Sequence, residues 1–228
     1  MGLRAVLFDA GNTLLFLDYS RIAQAVGSAL GMALTGPGLA RGAPTAAARM
    51  EERRGADRER AAAFFDALFT EAGVPADRMD DVRTVLERLH AERHLWSGIA
   101  ADTHESLGRL RAAGLRLGVV SNSDGRVEEA LRAAGLLHYF DVIVDSTLAG
   151  VEKPDPAIFR PALAALGVAP EEAVYVGDLY DVDVMGARAA GMGAILFAPS
   201  VPSTGGACAT VGSLRALADD LLKERLAS

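Results

Sequence analysis

The stretch Arg4-Ala5-Val6-Leu7-Phe8-Asp9-Ala10-Gly11-Asn12-Thr13-Leu14 decides how this chain is read. Residues 4–8 read as a buried apolar strand, and the strand ends in a carboxylate, Asp9. Open α/β sheets place their ligands beyond the carboxyl ends of strands, so Asp9 stands where such a fold does its chemistry. Two further clusters have the same form: Val119-Val120-Ser121-Asn122, and Val174-Tyr175-Val176-Gly177-Asp178-Leu179-Tyr180-Asp181-Val182-Asp183. Lys153 lies between them.

Working outward, apolar segments at Ala5–Phe8, Leu117–Val120, Val142–Val144, Ala173–Val176 and Ala194–Phe197 read as strands. Helical patterns separate the last four: His104–Ala113, Gly125–Ala134, Pro156–Leu166 and Val182–Ala190, each closed by a glycine (114, 135, 167, 191). Ser213–Leu226 reads as a closing helix, and Pro199–Gly206 as a loop. Strands alternating with helices of this length predict an α/β fold with a Rossmann-like parallel sheet flanked by helices.

Residues 16–95 break the rhythm. They show no convincing strand, only Ala-, Arg-, Leu- and Glu-rich stretches at Tyr19–Leu30, Thr45–Ala72 and Asp77–His94. Gly36-Pro37-Gly38, Gly42-Ala43-Pro44 and Gly73-Val74-Pro75 punctuate them. The expected division is a core domain of residues 1–15 and 96–228, with an all-helical domain inserted at 16–95.

The 228 residues suffice for such an arrangement, and half of them are hydrophobic. A net charge of -7 argues against nucleic acid as a main partner. A single cysteine, Cys208, excludes an internal disulfide and fits a reducing compartment, so a cytoplasmic location is expected. With no His near it in sequence, Cys208 reads as a small buried apolar residue and not as a nucleophile. A strand beginning at residue 4 leaves no room for a signal peptide. No stretch reaches the ~18 apolar residues of a membrane span.

The residue types in the clusters point to phosphoryl chemistry. A carboxylate such as Asp9 can attack phosphorus and form an acyl-phosphate, splitting one hard displacement into two easier ones. Alone, a strand-end Asp more often caps a turn; Thr13 four residues on and the other clusters in order favour chemistry. The Ser121 hydroxyl, with Asn122 and nearby backbone N–H groups, can bind phosphoryl oxygens. Lys153 sits in Glu152-Lys153-Pro154-Asp155-Pro156, where two prolines stiffen the loop; it can serve both Asp9 and a bound phosphate. Only two of the 23 basic residues, Lys153 and Lys223, are lysines, which singles Lys153 out. Asp178 and Asp183 form a carboxylate pair suited to Mg²⁺, a hard cation that prefers oxygen ligands and would offset repulsion between Asp9 and a phosphate dianion.

Together these motifs resemble the haloacid dehalogenase-like hydrolase superfamily over roughly residues 4–15 and 100–200. The resemblance implies Asp9 as nucleophile, Ser121 as phosphate ligand and Lys153 as the group that steadies the phosphoaspartate. It implies a Mg²⁺ site of Asp9, the Gly11 carbonyl, Asp178 and Asp183. It also implies that the insert is a helical cap, which opens to admit substrate, closes to exclude water and selects the substrate.

One position departs from the family pattern. Its phosphatases carry a second Asp two residues after the first, and here that position is Gly11. That Asp protonates the leaving alcohol, help worth ~10²–10⁴-fold. Asn12 replaces the family's usual Gly and tolerates the left-handed backbone such a turn needs. Dehalogenases of the family also lack the Asp, but do without the metal pair. Phosphonatases need a lysine in the cap, and residues 16–95 contain none. Pumps need membrane spans. The expected function is a Mg²⁺-dependent phosphoric-ester hydrolase, slow on alkyl phosphates and acting on a small phosphorylated metabolite. Asp18, Tyr19, His90, His94 or water are candidates to replace the acid. The alternatives are a haloacid-type dehalogenase and a non-catalytic phosphate- or nucleotide-binding module. A monomer or homodimer without membrane partners is expected.

Overall fold

Every residue of Ala5–Phe8 is fully buried, as a strand covered on both faces requires. The computed structural model describes residues 2–51, 57–199 and 208–227. It begins with β1 (Ala5–Phe8) and a short β2 (Phe16–Leu17). Helices α1 (Tyr19–Leu30), α2 (Gly36–Glu51), α3 (Asp57–Glu71) and α4 (Met79–Glu92) follow, then β3 (Trp96–Gly98). The chain continues through α5 (Thr103–Ala112), β4 (Arg116–Ser121), α6 (Val127–Ala133), β5 (Val142–Asp145) and α7 (Ser146–Ala149). It ends with α8 (Arg160–Leu166), β6 (Ala173–Gly177), α9 (Met185–Ala189), β7 (Gly193–Phe197), β8 (Ala209–Val211) and α10 (Leu214–Ala227).

Six strands form one parallel sheet in the order β5-β4-β1-β6-β7-β8. The chain builds outward from β1 through β4 to β5, then returns to build the other half from β6. The topological switch therefore falls around β1, whose neighbours are β4 and β6. Phe8 is in register with Val119 on one side and Val176 on the other. The residues just after these strands are thereby brought to one level, at the place where this topology opens a crevice.

The chain divides into two units, residues 1–16 with 98–228, and 17–97. In the second unit α1 is capped at one end by Asp18, whose side chain accepts from Arg21 N at 3.0 Å. It ends at Gly31, which adopts the left-handed conformation with φ 68°. Ile22, Val26, Leu39, Leu68, Phe69 and Val82 build this unit's own apolar core. Among the described residues, no helix is long and apolar enough to cross a membrane.

Several elements differ from the sequence reading. The Gly-Pro clusters at 36–38 and 42–44 do not interrupt the chain; α2 runs through both and keeps Pro44 inside it. Burial of Leu39 and Ala46 outweighs the poor helix propensity of these glycines and prolines. Gly36 also lets α2 approach α1, since a Cβ there would lie 2.5 Å from Ser20 Oγ. The expected helix over 45–72 is divided between α2 and α3, with residues 52–56 outside the described part. The strand β2 stands at the start of a region expected to hold none and β3 just beyond its end, both too short to show a period of two. β8 was not expected either, because three residues carry no pattern. The loop expected at Pro199–Gly206 lies, beyond Pro199, outside the described residues.

Candidate active site

Asp9 follows β1 directly, and its backbone N–H donates to Val176 O at 2.8 Å, tying it to β6. A tight turn comes next: Leu14 N and Leu15 N both donate to Ala10 O, at 3.0 and 2.8 Å, and Asn12 N donates to Leu15 O at 2.7 Å. Asn12 holds the left-handed conformation, φ 52°, and its amide donates to Asp178 Oδ2 at 3.3 Å. Gly11 has no side chain to turn toward the site. Its carbonyl belongs to the same turn.

Ser121 ends β4, is 3% exposed, and helps to lower the Asp9 carboxyl against the effect of burial. The loop after it is held from β5. Both carboxylate oxygens of Asp145 accept from Gly125 N at 3.0 Å, and the same carboxylate accepts from Thr147 N at 3.0 Å. Asn122 has another occupation. Its Oδ1 accepts from Lys153 N at 2.8 Å and its Nδ2 donates to Lys153 O at 3.1 Å. The side chain expected to bind phosphate thus clamps the backbone of Lys153, because a buried lysine loop needs its own peptide groups satisfied.

The Lys153 ammonium lies between three partners: Asp9 Oδ1 at 2.7 Å, Asp183 Oδ1 at 2.7 Å and the Tyr175 hydroxyl at 2.8 Å. An ammonium has three N–H donors. All three are taken here, so the geometry differs from the expectation that Lys153 also binds a substrate phosphate. The loop carrying it packs against α9, where a Cβ on Gly186 would come within 3.1 Å of Pro154.

Asp183 sits on a single π-helical turn, Tyr180–Val184, a form that recurs at functional sites. Its Oδ2 accepts from Leu179 N at 2.9 Å. Gly177 makes room for it, since a Cβ there would lie 2.4 Å from Asp183 Cγ. Asp178 is half-buried beside it, and Asp181 is exposed.

Asp9, Asp178 and Asp183 each offer an oxygen within 4.8 Å of the others. Burial pushes Asp9 up to about 6; the Lys153 charge pulls it down and Asp183 pushes it up. Burial, then Asp183 and Asp9, holds Asp178 well above the usual carboxylate range. Burial works against the charge of Lys153, but Asp183 and Asp9 overcome it and raise the ammonium well above its ordinary value. Three carboxylates around one ammonium leave an excess of negative charge and all-oxygen donors, which fits a hard divalent cation.

Of the candidate substitutes for the missing acid, Asp18, His90 and His94 have local partners. The second oxygen of Asp18 accepts from Arg93 at 3.1 Å. The Nδ1 atoms of His90 and His94 accept from Leu95 N and Trp96 N, at 3.4 and 3.3 Å. Tyr19 is half-buried, and burial raises its hydroxyl above the ordinary value. Cys208 is half-buried and donates weakly to Ala194 O at 3.4 Å.

Tyr175 and Asp145 were missed by the sequence reading. The signals were present: a hydroxyl inside the buried run Val174-Tyr175-Val176 needs a partner, and Asp145 ends an apolar strand as Asp9 does.

The model of the haloacid dehalogenase-like hydrolase family matches residues 3–191. A phosphoserine phosphatase of Thermus thermophilus is 38% identical over 133 residues, 58% of this chain and 51% of that protein. The chain spans about half the length of the curated relatives it matches. A solved phosphatase from Thermococcus onnurineus is 27% identical with a TM-score of 0.61, covering 96% of this chain and 98% of that one. A 2-haloacid dehalogenase from Pseudomonas syringae is 26% identical with a TM-score of 0.60, covering 98% and 99%. The family match extends from before β1 to beyond α9 and so takes in all the clustered residues: the chain belongs to the haloacid dehalogenase-like hydrolase family.

Proposed function

We propose that the protein is a Mg²⁺-dependent phosphoric-ester hydrolase working through an aspartyl-phosphate. The observation that carries this reading is the grouping of three carboxylates with one buried ammonium, Lys153 Nζ lying 2.7 Å from Asp9 Oδ1. Asp9, Asp178, Asp183 and the Gly11 carbonyl would hold the metal, which when bound supplies positive charge to the phosphoryl oxygens. An Asp9 carboxylate oxygen attacks phosphorus, and the bond from phosphorus to the ester oxygen breaks, leaving an alkoxide or phenoxide. Ser121 and the backbone after β4 bind phosphoryl oxygens. Lys153 orients Asp9 and, once the carboxylate has become an acyl-phosphate, steadies it. Water then attacks phosphorus, releases phosphate and restores the Asp9 carboxylate.

Gly11 supplies no proton to the leaving oxygen, so acidic leaving groups, aryl or acyl, depart most readily. The phosphatases among the similar proteins favour a small phosphorylated substrate. Turnover of p-nitrophenyl phosphate with Mg²⁺, lost in EDTA and in Asp9→Asn, is the expected result. No release above the Asp9→Asn background contradicts the reading for this ester. Gly11→Asp should then raise turnover of alkyl phosphates by ~10²-fold or more, and of the nitrophenyl ester far less. Equal gains, or none, would sink the argument about the missing acid.

Gly11 and the likeness to a dehalogenase favour a second reading, in which Asp9 attacks carbon and expels halide, which needs no proton. The paired Asp178 and Asp183 weigh against it. Halide release from a 2-chloro acid, insensitive to EDTA, would select it. A phosphate-binding module would instead keep its ligand affinity in Asp9→Asn.

A further inference from the structure

We propose that Tyr175 is a positioning residue whose hydroxyl sets the direction in which Lys153 presents its other two N–H bonds, one of them to Asp9. The role rests on the hydrolase reading above.

All five residues of β6 are buried, and Tyr175 is 1% exposed. Its ring meets Phe159 edge-on, with centroids 5.0 Å apart. A phenylalanine would supply the same packing without placing a hydroxyl in a dry interior, where an unbonded one is costly. The hydroxyl is fully used. It donates its one hydrogen to Val120 O at 2.6 Å, so toward Lys153 Nζ, at 2.8 Å, it acts as acceptor. Burial holds its proton on, well above the ordinary tyrosine value, so it adds direction without adding charge.

A lysine side chain ends in a freely turning ammonium on a flexible stem. Three acceptors fix that rotor here, and two of them have other work. Asp9 gives up its charge when it is phosphorylated, and Asp183 lies in the carboxylate group proposed for the metal. Tyr175 is the partner of Lys153 that does not change during the cycle. Its bond to Val120 O anchors the ammonium to the backbone of β4 while Asp9 changes from carboxylate to acyl-phosphate and back.

The test compares Tyr175→Phe with a packing control, Phe159→Leu, using p-nitrophenyl phosphate with Mg²⁺. Phe159→Leu removes a ring of the pair and keeps the Tyr175 hydroxyl, whereas Tyr175→Phe keeps the ring pair and removes the hydroxyl. Tyr175→Phe should lower kcat by about 10–100-fold with KM within about twofold, while Phe159→Leu lowers thermal stability and keeps kcat within about twofold. A second readout needs no turnover. The chain has only two lysines, Lys153 and Lys223, so the Lys153 ammonium can be followed in ¹⁵N-lysine-labelled protein. Its signal should shift, or exchange faster, in Tyr175→Phe and stay in place in Phe159→Leu. A folded Tyr175→Phe with unchanged kcat, an unmoved ammonium signal, or an equal loss of kcat in Phe159→Leu overturns the role and leaves the hydrolase reading intact. A wild type without metal-dependent turnover overturns that reading, and this role with it.

Discussion

The carboxyl end of the sheet and the helical unit of residues 17–97 both carry many charges, and they use them in opposite ways. At the sheet end the charges are buried: Asp9, Lys153 and Asp183 are 7%, 4% and 1% exposed. Each is held by groups from separate parts of the chain. In the helical unit the ion pairs lie on the surface, as in Arg83 with Asp66 at 2.9 Å, where both side chains are more than two-fifths exposed. Its order comes from the apolar core beneath them. Buried charges must be neutralised or stabilised, so their geometry is set closely; exposed pairs are screened by water and contribute little. The chemistry of the protein can therefore be argued from the first region, while the second shows how it is packed.

Breaking the buried group should have the largest effect. Lys153→Met leaves Asp9 and Asp183 without their cation and should cost about 3–5 kcal/mol of unfolding free energy in EDTA at neutral pH. Urea denaturation measures it, and a cost below about 1 kcal/mol would mean that the cluster is not coupled as the distances imply. Gly177→Ala comes next. A Cβ there lies 2.4 Å from Asp183 Cγ, so Asp183 must move; a loss of ~1–3 kcal/mol and a fall in kcat of up to ~10²-fold are expected. Melting curves and steady-state rates together separate the two effects.

The third prediction concerns protons. Metal binding requires ionised carboxylates, and in the metal-free protein Asp9 is pushed up to about 6. A raised carboxylate pKa favours the protonated form below that value, so Mg²⁺ must displace a proton as pH falls. Because Asp178 is raised as well, Mg²⁺ affinity should be at least about tenfold weaker at pH 5 than at pH 7.5, which calorimetric titration can follow. The smallest effect belongs to the helical unit. Arg83→Ala removes the pairs to Asp66 and Asp80 and should lower thermal stability only slightly, with turnover unchanged. A larger loss would erase the contrast between the two regions.

The same contrast explains what could be read from the sequence. Strand-end residues declare themselves, because an apolar run ending in Asp or Ser is visible without knowing the fold; Asp9, Ser121 and Asp178 were found this way. Asp183 followed from the spacing of the family motif that the chain resembles, which selects it over the nearby Asp181. Tyr175 was hidden because its neighbours are apolar and its value depends on where Lys153 arrives, 22 residues away in sequence. Asn122 was assigned to phosphate because the sequence does not reveal that the Lys153 backbone claims both ends of its amide. In the helical unit, Gly-Pro clusters read as breaks, yet α2 continues through them because tertiary burial outweighs local propensity. The sequence does not mark which group replaces the general acid: Gly11 lacks a side chain, and Asp18, His90 and His94 are engaged with their own backbone or with Arg93.

The measurement that bears most directly on the account is acid quench of the enzyme during turnover of an aryl phosphate with Mg²⁺, followed by mass spectrometry of its peptides. A phosphoryl group on the peptide carrying Asp9, absent in Asp9→Asn and in EDTA, is the predicted result. Turnover that proceeds with no phosphoryl group on Asp9, or with one on another residue, would contradict it.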